Sequence, residues 1–122
     1  MSSIQTVGIV GAGTMGNGIA QACAVSGIRA VMVDISEAAV QKGLAALQSS
    51  LERLVKKDKL SAADRDAALA RVQGTTDYEA LKSADLVIEA ATENLELKIR
   101  ILRQLDGLLP AETLIATNTS SI

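Results

Sequence analysis

The stretch Thr6-Val7-Gly8-Ile9-Val10-Gly11-Ala12-Gly13-Thr14-Met15-Gly16 decides how the rest of the chain is read. A short apolar run, Thr6 to Val10, leads straight into glycines, as a buried parallel strand does before a tight turn. The spacing G-x-G-x-x-G is by itself a weak signal, because an ordinary tight turn accounts for it. Its surroundings make it informative. From about Thr14 to Ser26 the chain is helix-length and rich in small residues (Gly16, Gly18, Ala20, Ala22, Ala24), and it closes at Gly27, a natural residue just past a helix end. A second apolar run, Ala30-Val31-Met32-Val33, then ends in the carboxylate of Asp34, 18 residues beyond Gly16. Residues 6 to 34 therefore read as one strand, helix, strand unit built to hold a dinucleotide.

Each part of the turn has a physical role. Gly11 permits the tight turn, Gly13 lets the backbone approach a pyrophosphate, and Gly16 lets the helix pack closely on the strand. Ala12, Thr14 and Met15 complete the phosphate cradle, where first-turn N–H groups and the positive end of the helix dipole supply an anion site. Asp34 accepts hydrogen bonds from the adenosine ribose hydroxyls and would oppose a 2′-phosphate, and no arginine follows it. The expected cofactor is NAD rather than NADP.

Outward from this unit, Ser36 is placed to cap a long helix to about Asp58, with Val40, Leu44, Leu47, Leu51 and Leu54 on one face. Ser61-Ala62-Ala63-Asp64 starts a second helix as a capping box does, so the two form a hairpin over about 36–71. Strands are expected near Val72 to Thr76, at Asp85 to Ala90 and at Thr113 to Thr117. A helix carrying Leu95, Ile99, Leu102, Leu105 and Leu109 on one face lies before the last of these. The alternation implies an α/β fold, a Rossmann-type doubly wound parallel sheet with an inserted helical hairpin, as a single domain over 1–122.

Composition narrows the classes. Hydrophobic residues are 48% of the chain, which suits a piece that packs against something else. No apolar run reaches the roughly 18 residues of a membrane span, and Met-Ser-Ser-Ile-Gln lacks a basic signal-peptide start, so a cytoplasmic setting without membrane is expected. A net charge of −2, no Phe or Trp and a single tyrosine, Tyr78, argue against a nucleic-acid partner. No metal is expected. The lone Cys23, between alanines, reads as a small helix residue rather than a reactive thiol. Histidine, the commonest general base, is absent altogether.

With Gly-Ala-Gly-Thr-Met-Gly-Asn-Gly-Ile-Ala-Gln, Val-Ile-Glu-Ala-Ala-Thr-Glu-Asn at 87–94, Lys98, and Ala-Thr-Asn-Thr-Ser-Ser at 116–121, the whole chain resembles the 3-hydroxyacyl-CoA dehydrogenases. It looks closest to the bacterial stand-alone 3-hydroxybutyryl-CoA members. The resemblance implies hydride transfer between NAD and C3 of a 3-hydroxyacyl-CoA in fatty-acid metabolism and β-oxidation. It implies that Glu93 and Lys98 serve the nicotinamide-side ribose and phosphates of NAD; a solvated helix start is the plain alternative for both. Ser120 matches the family serine beside nicotinamide and substrate, whose hydroxyl serves the reacting oxygen, although a simple turn after a strand would also use Asn-Thr-Ser-Ser. Ser50 and Lys57 match positions that hold coenzyme A. Without the resemblance, the cations Arg53, Lys56, Lys57 and Lys59 only offset the helix dipole.

The family's catalytic histidine and the glutamate that orients it are missing here. The resemblance therefore implies the N-terminal NAD-binding portion, incomplete at its C-terminus and inactive alone, of an enzyme that dimerises through an absent C-terminal helical domain. Two alternatives stay open. Another β-hydroxyacid dehydrogenase would share the turn, but Asp34 and Asn-Thr-Ser-Ser fit it poorly. A non-catalytic NAD-binding module would have no use for Ser50, Lys57 or Ser120.

Overall fold

The computed structural model describes residues 4–91 and 95–117. In chain order the elements are β1 (Thr6–Val10), α1 (Thr14–Val25), β2 (Arg29–Val33), α2 (Glu37–Lys56), α3 (Ala62–Ala70) and β3 (Val72–Thr75). They continue with a 3₁₀ helix (Tyr78–Ser83), β4 (Leu86–Glu89), α4 (Leu95–Leu108) and β5 (Leu114–Thr117). The five strands form one parallel sheet in the order β3-β2-β1-β4-β5. The register aligns Thr75, Val33, Val10, Glu89 and Thr117 in a row across its C-terminal edge. The doubly wound α/β fold expected from the sequence is the one observed.

Both central strands are buried on both faces, which is why they read as near-continuous apolar runs. One face packs Ile9, Ala30 and Met32 against Ala20 and Ala24 of α1, Leu47 and Leu51 of α2 and Ala68 of α3. The other packs Val10, Val31, Val33 and Val87 against Leu81, Ile101, Leu105 and Leu109. Leu47 and Leu51 are fully buried, and each such side chain stabilises the fold by about 1.5–3 kcal/mol. They lie on the predicted face of α2.

The helix starts behave as their sequences require. Ser36 Oγ accepts from the Ala39 N–H at 3.2 Å, and Ser61 Oγ from the Asp64 N–H at 3.0 Å. After α1 the chain turns through Gly27 at φ +90°. The Arg71 guanidinium donates to the Ala24 carbonyl at 2.8 Å and ties α3 to the end of α1. Cys23 is half-buried against the core, and burial pushes its thiol above the usual range, which disfavours a reactive thiolate.

One expectation is corrected. Leu105, and Leu109 just past the end of α4, are buried as expected, whereas Ile99 is 40% exposed and Lys98 and Ile101 are buried instead. The apolar spacing from Leu95 through Ile99 and Leu102 put Ile99 on the buried face. The helix instead turns the cation of Lys98 inward, toward a carboxylate that no periodicity of α4 itself reveals. The 3₁₀ helix was not expected either. It is too short to carry a helical period, yet it buries Leu81 completely and is capped by Asp77, which accepts from the Glu79 N–H at 3.0 Å.

Candidate functional site

Strand order reverses direction between β1 and β4, so their C-terminal ends open the crevice where doubly wound sheets take ligands. The glycine turn sits there. Gly11 has φ +112°, and a Cβ on it would lie 2.8 Å from Ala91 Cα, so both backbone and space require glycine. Its N–H donates to the Val33 carbonyl at 2.7 Å, which ties the turn to β2. At Gly16 an added Cβ would collide with the Gly11 carbonyl oxygen and lie 2.9 Å from Gly11 C and 3.2 Å from Ile9 Cγ2. Gly16 therefore sets how closely α1 approaches β1.

Gly13 differs from both. It is the N-cap of α1, with no side chain to cap the helix, and a Cβ there would meet nothing within 4 Å. A helix start leaves N–H groups without intrahelical partners. Open space in front of such a start is what a pyrophosphate needs, and the turn fits that group. Around it lies a pocket of about 330 Å³ lined by Gly11 to Thr14, Asn17, Asp34, Ala90 and Ala91, and by Ala39, Lys42, Gly43 and Ala46 of α2. Ala12 is buried and Met15 is 41% exposed.

Asp34 is locked to this turn. Its Oδ2 accepts from the Ala12 N–H at 3.0 Å and its Oδ1 from the Ser36 N–H at 3.4 Å. The carboxylate thus faces the cleft in a defined orientation, suited to vicinal ribose hydroxyls. A second recess, also about 330 Å³, shares Gly11, Asp34 and Ala91 and continues along Val33, Ile35, Tyr78, Leu97 and Ile101. Ile35 is 85% exposed beside it. Burial, and then the negative charge of Asp34, push the Tyr78 hydroxyl above the ordinary phenol range.

Sequence reasoning passed over three of these residues. Asn17 donates from Nδ2 to the Gly43 carbonyl at 3.0 Å and staples α1 to α2. Lys42 brings a cation into the pocket that holds Asp34. Its signal was its place on the α2 face shared by Ala39, Gly43 and Ala46. Tyr78 joins the site through the unforeseen 3₁₀ helix.

A fourth, Glu89, lies in the strand and in the motif at 87–94 but was given no role of its own. Its side chain is fully buried, with Oε1 3.4 Å from Lys98 Nζ and 3.0 Å from Thr117 Oγ1, and Oε2 accepting from the Ala91 N–H at 2.8 Å. The signal was a carboxylate where the alternation of β4 calls for a core residue. Lys98, read as facing a cofactor, is buried against this carboxylate at the same edge of the sheet.

The coenzyme A positions lie elsewhere. Ser50 is half-buried on α2 and Lys57 is its exposed C-terminal cap. At 1.5 Å per residue they stand roughly 10 and 20 Å along α2 from Gly43, so they do not line the dinucleotide pocket. Glu93 and Ser120 fall outside the described residues. Among the described residues, no cluster of three or more His, Cys, Asp or Glu could hold a metal, and no helix is long and apolar enough to cross a membrane.

Comparison with known proteins agrees with this geometry. The family model described as "3-hydroxyacyl-CoA dehydrogenase, NAD binding domain" matches residues 6–122. The chain is 43% identical over 122 residues to the 3-hydroxyadipyl-CoA dehydrogenase of Escherichia coli K12, covering all of this chain and 26% of that protein. It is 40% identical over 114 residues to the 3-hydroxybutyryl-CoA dehydrogenase of Clostridioides difficile, covering 93% of this chain and 41% of that one. The crystal structure of (S)-3-hydroxybutyryl-CoA dehydrogenase from Ralstonia eutropha superposes with a TM-score of 0.95 at 66% identity, over 98% of this chain and 42% of that chain. The chain thus spans less than half the length of each of these relatives, and it belongs to the family of NAD-binding domains of the 3-hydroxyacyl-CoA dehydrogenases.

Proposed function

We propose that the chain is the cofactor-holding part of an NAD-dependent oxidoreductase acting on 3-hydroxyacyl-CoA thioesters, with 3-hydroxybutyryl-CoA as the substrate class. The observation that carries the cofactor reading is the hydrogen bond from the Ala12 N–H to Asp34 Oδ2, 3.0 Å long, which assembles the phosphate turn and the ribose acceptor into one unit. NAD, when bound, supplies the hydride acceptor for C3 of the hydroxyacyl group. The chain's own residues bind and orient it. Gly11 to Gly16 take the pyrophosphate, Asp34 the adenosine ribose, and Glu93 and Lys98 the nicotinamide-side ribose and phosphates. Ser120 donates a hydrogen bond to the reacting oxygen at C3. The chain contains no histidine, so on this reading it lacks the family's proton acceptor and does not turn over alone.

Ser50 and Lys57 hold coenzyme A, Lys57 by pairing with a phosphate. Their distance along α2 from the dinucleotide pocket supports this, because coenzyme A is long enough to lie on the hairpin while its acyl end reaches the sheet edge. A homodimer is assigned from the resemblance to the bacterial members.

Calorimetric titration tests the cofactor reading: NADH should bind more tightly than NADPH, and equal affinities would overturn it. Titration with acetoacetyl-CoA tests the substrate reading. Lys57→Ala should weaken binding about tenfold at low salt and much less at high salt, as for a partly exposed ion pair. An affinity unchanged and insensitive to salt would remove Lys57 from the site.

A further inference from the structure

The C-terminal edge of the sheet carries a buried charged cluster that the cofactor-binding residues do not explain by themselves. Glu89 occupies a core position of β4. Its neighbour on the same face, Val87, packs with Ile101 and Leu105 of α4, and a hydrophobic residue would fill the Glu89 position at lower cost. Instead a fully buried carboxylate uses both oxygens, and its partners come from more than one element. Lys98 Nζ comes from α4, Thr117 Oγ1 from the facing register position of β5, and the Ala91 N–H from the turn after β4. Ala91 is also the backbone against which Gly11 packs and a wall of both recesses that meet at Asp34.

We infer that Glu89 is a positioning residue of the cofactor site, one carboxylate that fixes the Lys98 ammonium, the Ala91 turn and the end of β5 relative to one another. This rests on the proposed role of Lys98 toward NAD. The ion pair with Glu89 fixes the direction in which the Lys98 ammonium points. Glu89 touches no ligand itself. It acts through Lys98 on the nicotinamide-side half and leaves the adenosine half to Asp34 and the glycine turn. A purely structural ion pair would support both halves equally.

The experiment compares NADH with AMP, which is only the adenosine half, by calorimetry on the full chain for wild type, Glu89→Gln, Lys98→Met and the double variant. Glu89→Gln keeps an acceptor for Ala91 and removes the charge. The expected result is that each single variant weakens NADH about tenfold, that the double variant is no weaker than either, and that AMP stays within about twofold of wild type. Should Glu89→Gln fail to fold, Thr117→Val releases one tether only, and it should weaken NADH and spare AMP in the same way.

NADH and AMP falling together would make the cluster merely structural and overturn the inference. So would NADH affinity untouched by Glu89→Gln but lost in Lys98→Met, and that outcome leaves the role of Lys98 standing. NADH affinity untouched by Lys98→Met removes Lys98 from the cofactor site, and the inference falls with it.

Discussion

Gly13 and Gly16 belong to one motif, yet the structure separates what alanine does at each. A methyl at Gly16 meets backbone, the Gly11 carbonyl, and backbone cannot swing aside as a flexible side chain does. Overpacking costs about 1–3 kcal/mol, and the upper end applies here. A 122-residue chain has an unfolding entropy of roughly 0.26 kcal/mol/K, so each kcal/mol moves the melting temperature by about 4 °C. Gly16→Ala should therefore melt roughly 12 °C below wild type. Gly13 has φ −73° and ψ −168°, extended backbone open to any residue, and nothing lies within 4 Å of an added Cβ. Alanine there restricts the unfolded chain and should raise stability by about 0.4–1 kcal/mol, or roughly 2–4 °C.

Binding responds in the opposite sense at Gly13. On the proposed reading the new methyl stands where the pyrophosphate approaches, and an overpacking cost of about 1–3 kcal/mol there should weaken NADH roughly tenfold to a hundredfold. Melting followed by circular dichroism and NADH titration by calorimetry read the two effects independently. A Gly13→Ala variant that melts well below wild type, or that binds NADH normally, would refute the division of labour. So would a Gly16→Ala variant of unchanged melting temperature.

Three further outcomes are expected. Asp34→Ala should weaken NADH by about 1.5–3 kcal/mol, the worth of hydrogen bonds to a charged acceptor; a calorimetric titration at wild-type affinity would rule out the ribose role. Tyr78, the only aromatic residue of the chain, should titrate above the ordinary phenol range in an ultraviolet pH titration. Asp34→Asn should lower that midpoint without normalising it, because burial is the larger cause and the Asp34 charge the smaller. Asp85 accepts from the Gln5 and Thr6 N–H groups at 2.9 and 3.0 Å, which holds its carboxyl below the usual carboxylate range. Its stabilisation is present above the unfolded-state value of about 3.9 and is lost as pH falls through the lower folded-state value. Asp85→Asn should therefore melt lower than wild type at neutral pH, with the gap closing in acid; a gap that persists in acid would assign the effect to something other than ionisation.

The central unit was legible because its signals are local. A strand that ends in glycines, a helix of small residues, Gly27 past its end and Asp34 at the end of the next strand each follow from what the backbone permits at that point. The α2 face and the serine caps of α2 and α3 were legible for the same reason. The first turns of α4 were misread, Ile99 being exposed where Lys98 and Ile101 are buried, because Lys98 pairs with Glu89, which lies in another element. Tyr78 escaped notice because a short 3₁₀ helix has no period to detect.

The amino-acid sequence by itself thus determined the fold class, the glycine turn at the head of α1 and the carboxylate at the end of β2, since these depend on backbone conformation and short-range spacing. Tertiary structure alone decided the bond from Ala12 to Asp34, the entry of Lys42 and Tyr78 into the cleft, and the burial of Lys98 on Glu89. The bonds of Asp34 and Glu89 depend on register across the sheet, and the entry of Lys42 and Tyr78 on how their helices pack against it. Val10 aligns with Val33 and Glu89, and Glu89 aligns with Thr117, a pairing between strands far apart in the chain that no local pattern encodes.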